Sequence, residues 1–148
     1  MTAPDNYGTP LHIFDPLNAE FGFTLDPCAE PWSAKCEKYY TKEDDGLSRC
    51  WQGETVFCNP PYGQYQTEKW VRKAVSEWLK GETTIVLLIP AKTGAVYFHD
   101  CVFDLQKVTD KIETRWLKSR IRFIDPETRE VAKGTGWFSS VVVVYHAL

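Results

Sequence analysis

Thr55-Val56-Phe57-Cys58-Asn59-Pro60-Pro61-Tyr62-Gly63 is the stretch on which the fold turns. A short apolar run ends in a polar residue and two prolines, the pattern of a buried strand that stops abruptly at a rim. Proline has no N–H and a fixed φ, so it cannot continue a strand. The residue before a proline is held extended. Asn59 and Pro60 each precede one, so the turn has few conformations open to it. Such a turn projects the Asn59 amide and the Pro60 carbonyl into one small space, with the flat face of Tyr62 beside them. Two acceptors and a ring suit an aromatic amine: the acceptors bind an exocyclic NH2 and the ring stacks on the base.

C-terminal to this turn the pattern becomes helical. Trp70, Val71, Ala74, Val75, Trp78 and Leu79 recur at the 3.6-residue period, with Thr67 as the expected N-cap and Gly81 as the stop. Thr83 to Ile89 is a continuous apolar run, the signature of a central strand covered on both faces. It ends in Pro90-Ala91-Lys92-Thr93, which places Lys92 on the same rim as Asn59 if the two strands are parallel neighbours. Lys92 there would touch a phosphate or a base, or remain an ordinary exposed loop lysine. Gly94 to Cys101 reads as a short helix, and Glu113 to Leu117 and Arg120 to Ile124 as two strands. In the second of these, Arg120 and Arg122 alternate with Ile121 and Phe123. That is either a plain amphipathic strand or a basic face turned to nucleic acid. Trp137 to Tyr145 forms the last buried strand.

On the N-terminal side, Thr9-Pro10 opens a helix with threonine as N-cap and proline at the first helical position. Leu11, Phe14, Leu17 and Phe21 follow at helical spacing, Pro16 is expected to break or restart it, and Gly22 to end it. Phe23 to Asp26 reads as the first core strand, ending in an acid. In open α/β sheets ligands bind beyond the carboxyl ends of the strands, so Asp26 is placed to meet one, or else caps the bend at Pro27. Cys36 to Thr41 is a candidate second strand, and Asp44-Asp45-Gly46-Leu47 a turn. Acids after a second strand are also where a nucleoside-binding fold holds a ribose or an adenine amino group. The span from Asp26 to Asn59 is too short for a full set of intervening helices and strands. The sheet must therefore be trimmed, with one or more helices missing from one face.

At 148 residues with 43% hydrophobic content, one domain over 1–148 is expected, with 1–8 flexible. No run approaches the ~18 apolar residues of a membrane span, and the N-terminus lacks a basic-then-apolar signal pattern; a cytoplasmic protein is expected. The net charge of -3 argues against a strongly basic nucleic-acid coat, though an enzyme needs only a local positive face. Charge is uneven: 15–45 is mostly acidic, whereas 115–122 holds Arg115, Lys118, Arg120 and Arg122 with no acid among them. Five cysteines, an odd number, point to free thiols. Their wide spacing, with no C-x2-C pair, argues against zinc, and no metal is expected.

The tetrapeptide 59–62 matches the [Asn/Asp/Ser]-Pro-Pro-Tyr motif of S-adenosylmethionine-dependent amino-methyltransferases. Thr9-Pro10, Glu20 to Ala29, Asp44 to Leu47, Trp51, Asn59 to Gly63, Leu88 to Ala91 and Arg120 to Phe123 occur in an order that resembles the small phage and prophage Dam-like DNA N6-adenine methyltransferases. The resemblance implies an α/β, trimmed Rossmann-like methyltransferase fold, its sheet mostly parallel with antiparallel C-terminal strands. It implies methyl transfer from S-adenosylmethionine to N6 of an adenine flipped out of duplex DNA. Asn59, Pro60, Pro61 and Tyr62 would be catalytic. Thr9, Pro10, Asp26, Pro27, Cys28, Ala29, Asp44 and Asp45 would bind the cofactor, and Lys92, Arg120 and Arg122 the DNA. Where the wider superfamily has a glycine-rich turn after the first strand, this chain has Glu30-Pro31-Trp32-Ser33. The same tetrapeptide chemistry serves cytosine N4, RNA adenine or a protein amide. A non-catalytic DNA-binding relative, or a zinc-stapled interaction module, are the readings of a different class. No membrane and no obligatory protein partner are implied.

Overall fold

The computed structural model describes residues 7–63, 65–135 and 138–148. Within them a six-stranded mixed sheet runs in the order β2-β1-β3-β4-β6-β5. Its strands are β1 (Leu25–Asp26), β2 (Lys38–Tyr39), β3 (Thr55–Cys58), β4 (Thr84–Pro90), β5 (Ile112–Trp116) and β6 (Ser140–Tyr145). The first four are parallel, and β6 lies antiparallel to both β4 and β5. This is the trimmed Rossmann-like arrangement, mostly parallel with an antiparallel end.

Alternation along the central strands separates two apolar layers. Val56 and Cys58 of β3, Ile85, Leu87 and Ile89 of β4, and Val141, Val143 and Tyr145 of β6 face one side. There they meet Trp70, Val71, Ala74 and Trp78 of α2 (Gln66–Leu79) and Phe98 of α3. The helix α3 covers 96–106, with a π-helical turn, His99–Phe103, between two short α-helical pieces. Phe57, Val86, Leu88, Val142 and Val144 face the other side, against Phe14 and Leu17 of α1 (Leu11–Phe21) and against Ile121 and Phe123. A strand buried on both faces must be apolar at every position, which is why β4 reads as an unbroken run. Each fully buried Val, Leu or Ile contributes about 1.5–3 kcal/mol.

The connections 27–37 and 40–54 contain no α-helix, only the 3-10 turn Gly46–Ser48. The helices expected to be missing from the first half of the sheet are indeed missing.

Four local expectations are corrected. Pro16 neither breaks nor restarts α1, which runs through it. A proline forfeits one i→i−4 bond, and here it sits on the exposed face between buried Phe14 and Leu17, which hold the helix to the sheet. The cap of α1 is Pro10, in extended conformation, rather than Thr9. Thr67 does not cap α2: Tyr65 holds that position at φ 64°, and the Thr67 hydroxyl donates to the Pro61 carbonyl at 2.8 Å. Finally, 120–124 is not a ladder strand; only Ile124 is bridged, to Gly8 and to Val131. Its alternation survives, with Ile121 and Phe123 buried and Arg120 and Arg122 exposed, because the segment lies on the face of the sheet rather than at its edge.

Of the stretch 1–8, Gly8 is tied down by a reciprocal pair of backbone bonds with Ile124, both 2.9 Å. Trp137, expected in the last strand, lies outside the described residues. Arg115 belongs to no basic face. Its guanidinium forks onto both Glu20 oxygens at 2.7 Å and onto Glu113 at 2.6 Å, pinning β5 to α1. No helix among the described residues is long and apolar enough to cross a membrane.

Candidate active site

The chain leaves β3 at Asn59 and runs through the two prolines along the carboxyl-end rim of the parallel strands. Asn59 is half-buried, and both ends of its amide are engaged within the protein. Its Nδ2 donates to the Tyr7 carbonyl at 3.1 Å and to the Thr9 Oγ1 at 3.0 Å. Its Oδ1 accepts from the Tyr62 hydroxyl. That hydroxyl also lies 3.4 Å from the Leu88 carbonyl of β4. Burial pushes the Tyr62 phenol well above its usual range, so it stays protonated and can donate. Among the described residues nothing donates to the Pro60 carbonyl, whereas that of Pro61 is taken by Thr67.

Tyr62 sits in an aromatic nest. Its ring lies 6.2 Å from Tyr7 in a stacked arrangement, 5.6 Å from Phe123 and 5.1 Å from Phe138, the last two edge-on. Phe123 is buried, and it forms one wall of this nest.

Beside the tetrapeptide opens a cleft of ≈ 240 Å³. Its walls are the loops following the strands: Pro27, Cys28, Ala29 and Glu30 after β1, then Tyr40 to Lys42 and Asp45 to Leu47 after β2. Pro61 follows β3, and Gln66 and Trp70 come from α2. The chain reverses direction across the sheet here, between β1 with its outer neighbour β2 on one side and β3 on the other. A ligand crevice at such a switch point is the general rule for open α/β sheets.

The expected cofactor residues divide. Pro27, Cys28, Ala29 and Asp45 line the cleft. Asp26 and Asp44 stand behind it as supports. The Asp26 carboxylate is 4% exposed and accepts from the backbone N–H of Lys35 at 3.1 Å and of Cys28 at 3.4 Å. Burial raises its pKa to about 7. Asp44 accepts from the Thr41 N–H at 2.9 Å and hydroxyl at 3.1 Å, bonds that hold its carboxyl below the ordinary range. Thr9 is bonded to Asn59, and neither it nor Pro10 lines the cleft.

The glycine that the first turn lacks appears in the second. Gly46 packs so closely that a Cβ there would meet the Pro27 carbonyl oxygen at 2.0 Å and Trp70 at 2.9 Å. The bare backbone of Gly46 lets the two loops close around one cleft.

A match over residues 2–148 is found with the family model described as DNA N-6-adenine-methyltransferase (Dam). The chain belongs to the Dam family. It is 30% identical over 128 residues to the DNA N-6-adenine-methyltransferase of Haemophilus phage HP1, an overlap of 85% of this chain and 70% of the phage protein. Against the protein of the same description from Escherichia phage T1 it is 26% identical, covering 95% of this chain and 62% of that one.

In this Dam-family chain the three cations expected to meet DNA are all exposed, and no ion pair engages them among the described residues. Lys92 follows β4 and lines a second, shallower hollow of ≈ 280 Å³ with Gly63, Tyr65 and Tyr97. Arg120 and Arg122 project from the segment whose Phe123 walls the nest around Tyr62. Sequence reasoning missed Trp70, Thr41, Lys42 and Gln66 as cleft residues. Trp70 lay in plain view one turn into α2, but its helical period marked it as core, and it serves both roles. No three of His, Cys, Asp or Glu gather into a metal-holding group among the described residues.

Proposed function

We propose that this chain transfers a methyl group from S-adenosylmethionine to N6 of adenine in DNA, in the cytoplasm of its host. The observation that carries the reading is the position of the 59–62 turn, which leaves β3 directly beside a cleft at the switch point of the sheet and contributes Pro61 to its wall. The residues present fit the donor. Acidic side chains of Glu30 and Asp45 suit its positive charges, and Trp70 and Leu47 offer apolar surface for its ring. Pro27, Cys28, Ala29, Asp45, Gly46 and Trp70 would hold it. When bound, S-adenosylmethionine supplies a sulfonium methyl whose carbon bonds to N6 as the carbon–sulfur bond breaks, leaving a neutral thioether while the nitrogen's proton passes to solvent.

The protein's own part is alignment and electrostatics. The exocyclic amine of adenine is a poor nucleophile because its lone pair is delocalised into the ring. Asn59 Oδ1 and the Pro60 carbonyl take its two N–H groups, favour a pyramidal nitrogen and support the positive charge that develops on it. Asn59 Oδ1 accepts from the Tyr62 hydroxyl and keeps a second lone pair with which to accept the amine. The base reaches the site flipped out of the duplex, with the Tyr62 ring to stack on it. Lys92, Arg120 and Arg122 hold the phosphate backbone.

The test is incubation of the purified chain with methyl-labelled S-adenosylmethionine and separate DNA, RNA and protein pools, followed by identification of the methylated atom. Label is expected on N6 of DNA adenine. Asn59→Ala should lower turnover by about 10²–10³-fold, the loss typical of a deleted transition-state hydrogen bond, with cofactor affinity retained by calorimetry. Label confined to RNA or protein, or undiminished turnover in the variant, overturns the reading.

A further inference from the structure

We propose that Thr9 is a positioning residue for the catalytic asparagine, and that the acceptor pair it forms with the Tyr7 carbonyl makes asparagine, not aspartate, obligatory at position 59 in this chain. The inference rests on the reading of Asn59 Oδ1 as the substrate's acceptor. The resemblance placed Thr9 near the cofactor; the geometry gives it a different task.

A side-chain amide has two faces of opposite character, a donor NH2 and an acceptor oxygen. Unconstrained, it can turn over and present either. The Asn59 amide cannot. Its Nδ2 faces the Tyr7 carbonyl at 3.1 Å, a group that only accepts, and the Thr9 Oγ1 at 3.0 Å. A turned amide would set Oδ1 against the Tyr7 carbonyl oxygen, which has no proton to offer, and lose that bond outright; the Thr9 hydroxyl would have to turn from acceptor to donor. The pair therefore aims Oδ1 the other way, toward the Tyr62 hydroxyl, with its second lone pair left for the substrate's N–H.

The acceptors are themselves fixed. Thr9 is 3% exposed, so water cannot readily replace its oxygen. Gly8, between the two, is locked to Ile124 by bonds of 2.9 Å in both directions. A Cβ at Gly8 would lie 2.9 Å from the Ile124 Cβ, so only glycine lets the segment lie this close. The segment from Tyr7 to Thr9 is thus the anvil on which the catalytic amide rests.

Aspartate at 59 breaks this arrangement. A carboxylate has no proton for the Tyr7 carbonyl, so one of its oxygens would face that oxygen in a half-buried space, and the Thr9 hydroxyl could serve it only by turning to donate. The motif accepts aspartate in other amino-methyltransferases; here the environment is built for the NH2.

The experiment uses the full chain and three variants, Thr9→Val, Thr9→Ser and Asn59→Asp. It reads turnover on DNA, cofactor affinity, melting temperature and the Asn59 side-chain NH2 signals by NMR, assigned by their loss in Asn59→Asp. Thr9→Val keeps the shape and removes the acceptor. Its kcat should fall about 10–100-fold with the KM for DNA and the cofactor affinity held within about threefold, and Thr9→Ser should restore kcat. Asn59→Asp should lose at least about 10²-fold in kcat. In the wild type both NH2 protons should exchange slowly with solvent; in Thr9→Val one should shift and exchange faster.

Weakened cofactor binding at unchanged kcat in Thr9→Val would make Thr9 a cofactor residue and overturn the proposal. So would an active Asn59→Asp, or fast-exchanging NH2 protons in the wild type, a measurement that stands even if Thr9→Val fails to fold. If the wild type methylates none of the three pools, the functional reading falls, and the NH2 signals still decide whether Thr9 orients Asn59.

Discussion

Replacing Gly46 with alanine should damage the cleft and the fold together. Gly46 has no positive φ, so the objection to a side chain is purely steric. The added Cβ would stand 2.0 Å from the Pro27 carbonyl oxygen and 3.1 Å from its carbon, both backbone, and 2.9 Å from the rim of the buried Trp70 ring. None is the loose end of a flexible side chain, so the 40–47 loop must back away by about 1 Å to restore van der Waals contact. Overpacking of this kind costs about 1–3 kcal/mol. The displacement also strains the buried bond from Trp51 Nε1 to the Gly46 carbonyl, 3.0 Å long, whose loss costs a further ~1–2 kcal/mol. A total near 3 kcal/mol should appear in urea unfolding as a lower midpoint at unchanged slope. Because Gly46 and Pro27 both line the cleft, affinity for S-adenosylmethionine should drop at least about tenfold by calorimetry, as expected when a preformed pocket is distorted. Gly22→Ala is the control. Gly22 has φ 67° but open space around it, so its variant should cost about 1 kcal/mol from backbone strain alone and leave affinity untouched. A Gly46→Ala protein as stable as wild type, or one that binds the cofactor normally, would refute the steric argument.

Two further outcomes concern buried acids. Glu77 is fully buried in α2 with Lys73 at 2.5 Å and Lys80 at 3.2 Å; burial alone would raise its pKa, but the bonds from the two lysines win and hold it below the ordinary value. Glu77→Gln should therefore cost about 2–4 kcal/mol at neutral pH, and because a depressed carboxyl stabilises only above its unfolded value, the deficit should shrink as pH falls below about 4.5; urea titrations at pH 7 and pH 3.5 check both. Asp26 behaves in the opposite sense. Burial raises its carboxyl from 3.8 to about 7, so the folded state holds the proton more tightly than the unfolded chain. Its favourable contribution is complete below pH 4 and is lost as pH climbs to 7, a swing of about 4 kcal/mol. Stability should decline between about pH 4 and 7, and the same decline in Asp26→Ala would clear Asp26 of responsibility.

Those parts of the fold that rest on contiguous pattern were legible in the residues. β3, β4 and α2 were found because an apolar run or a 3.6 period is visible within a few residues, and Gly22 because a helix stop needs a residue that tolerates φ 67°. The Asn59 turn was legible because two prolines leave it little freedom. What could not be read is what depends on partners distant in sequence. Thr9 lies 50 positions from Asn59, and nothing in its neighbourhood announces the bond; Thr-Pro before a helical pattern argues instead for a cap. Thr67 was taken for a cap for the same reason, and its hydroxyl serves the Pro61 carbonyl. Arg115 read as part of a basic run because its acid partners, Glu20 in α1 and Glu113 on its own strand, are joined to it only by the packing of β5 against α1.

The two halves of the sheet divide the labour of the site, and the division follows from strand direction. Parallel strands put every carboxyl end on one rim, so β1, β2 and β3 surrender three loops to one cleft. Antiparallel β6 brings its amino end to that rim, Ser140 opposite Pro90, and with it Phe138; the segment after β5 returns across the sheet face carrying Phe123. The cleft is therefore built of turns and acids, and the nest around Tyr62 of aromatic rings from the far end of the chain. Asn59 stands at the seam, where β3 ends. The proposed methyl transfer would need a polar pocket for a charged donor and an apolar slot for a flat base within reach of one nitrogen, and the mixed sheet brings a cleft and an aromatic nest to a single edge. Had β6 run parallel to β4, Phe138 would lie at the opposite end of the sheet, and Tyr62 would lack the nearest of its aromatic neighbours.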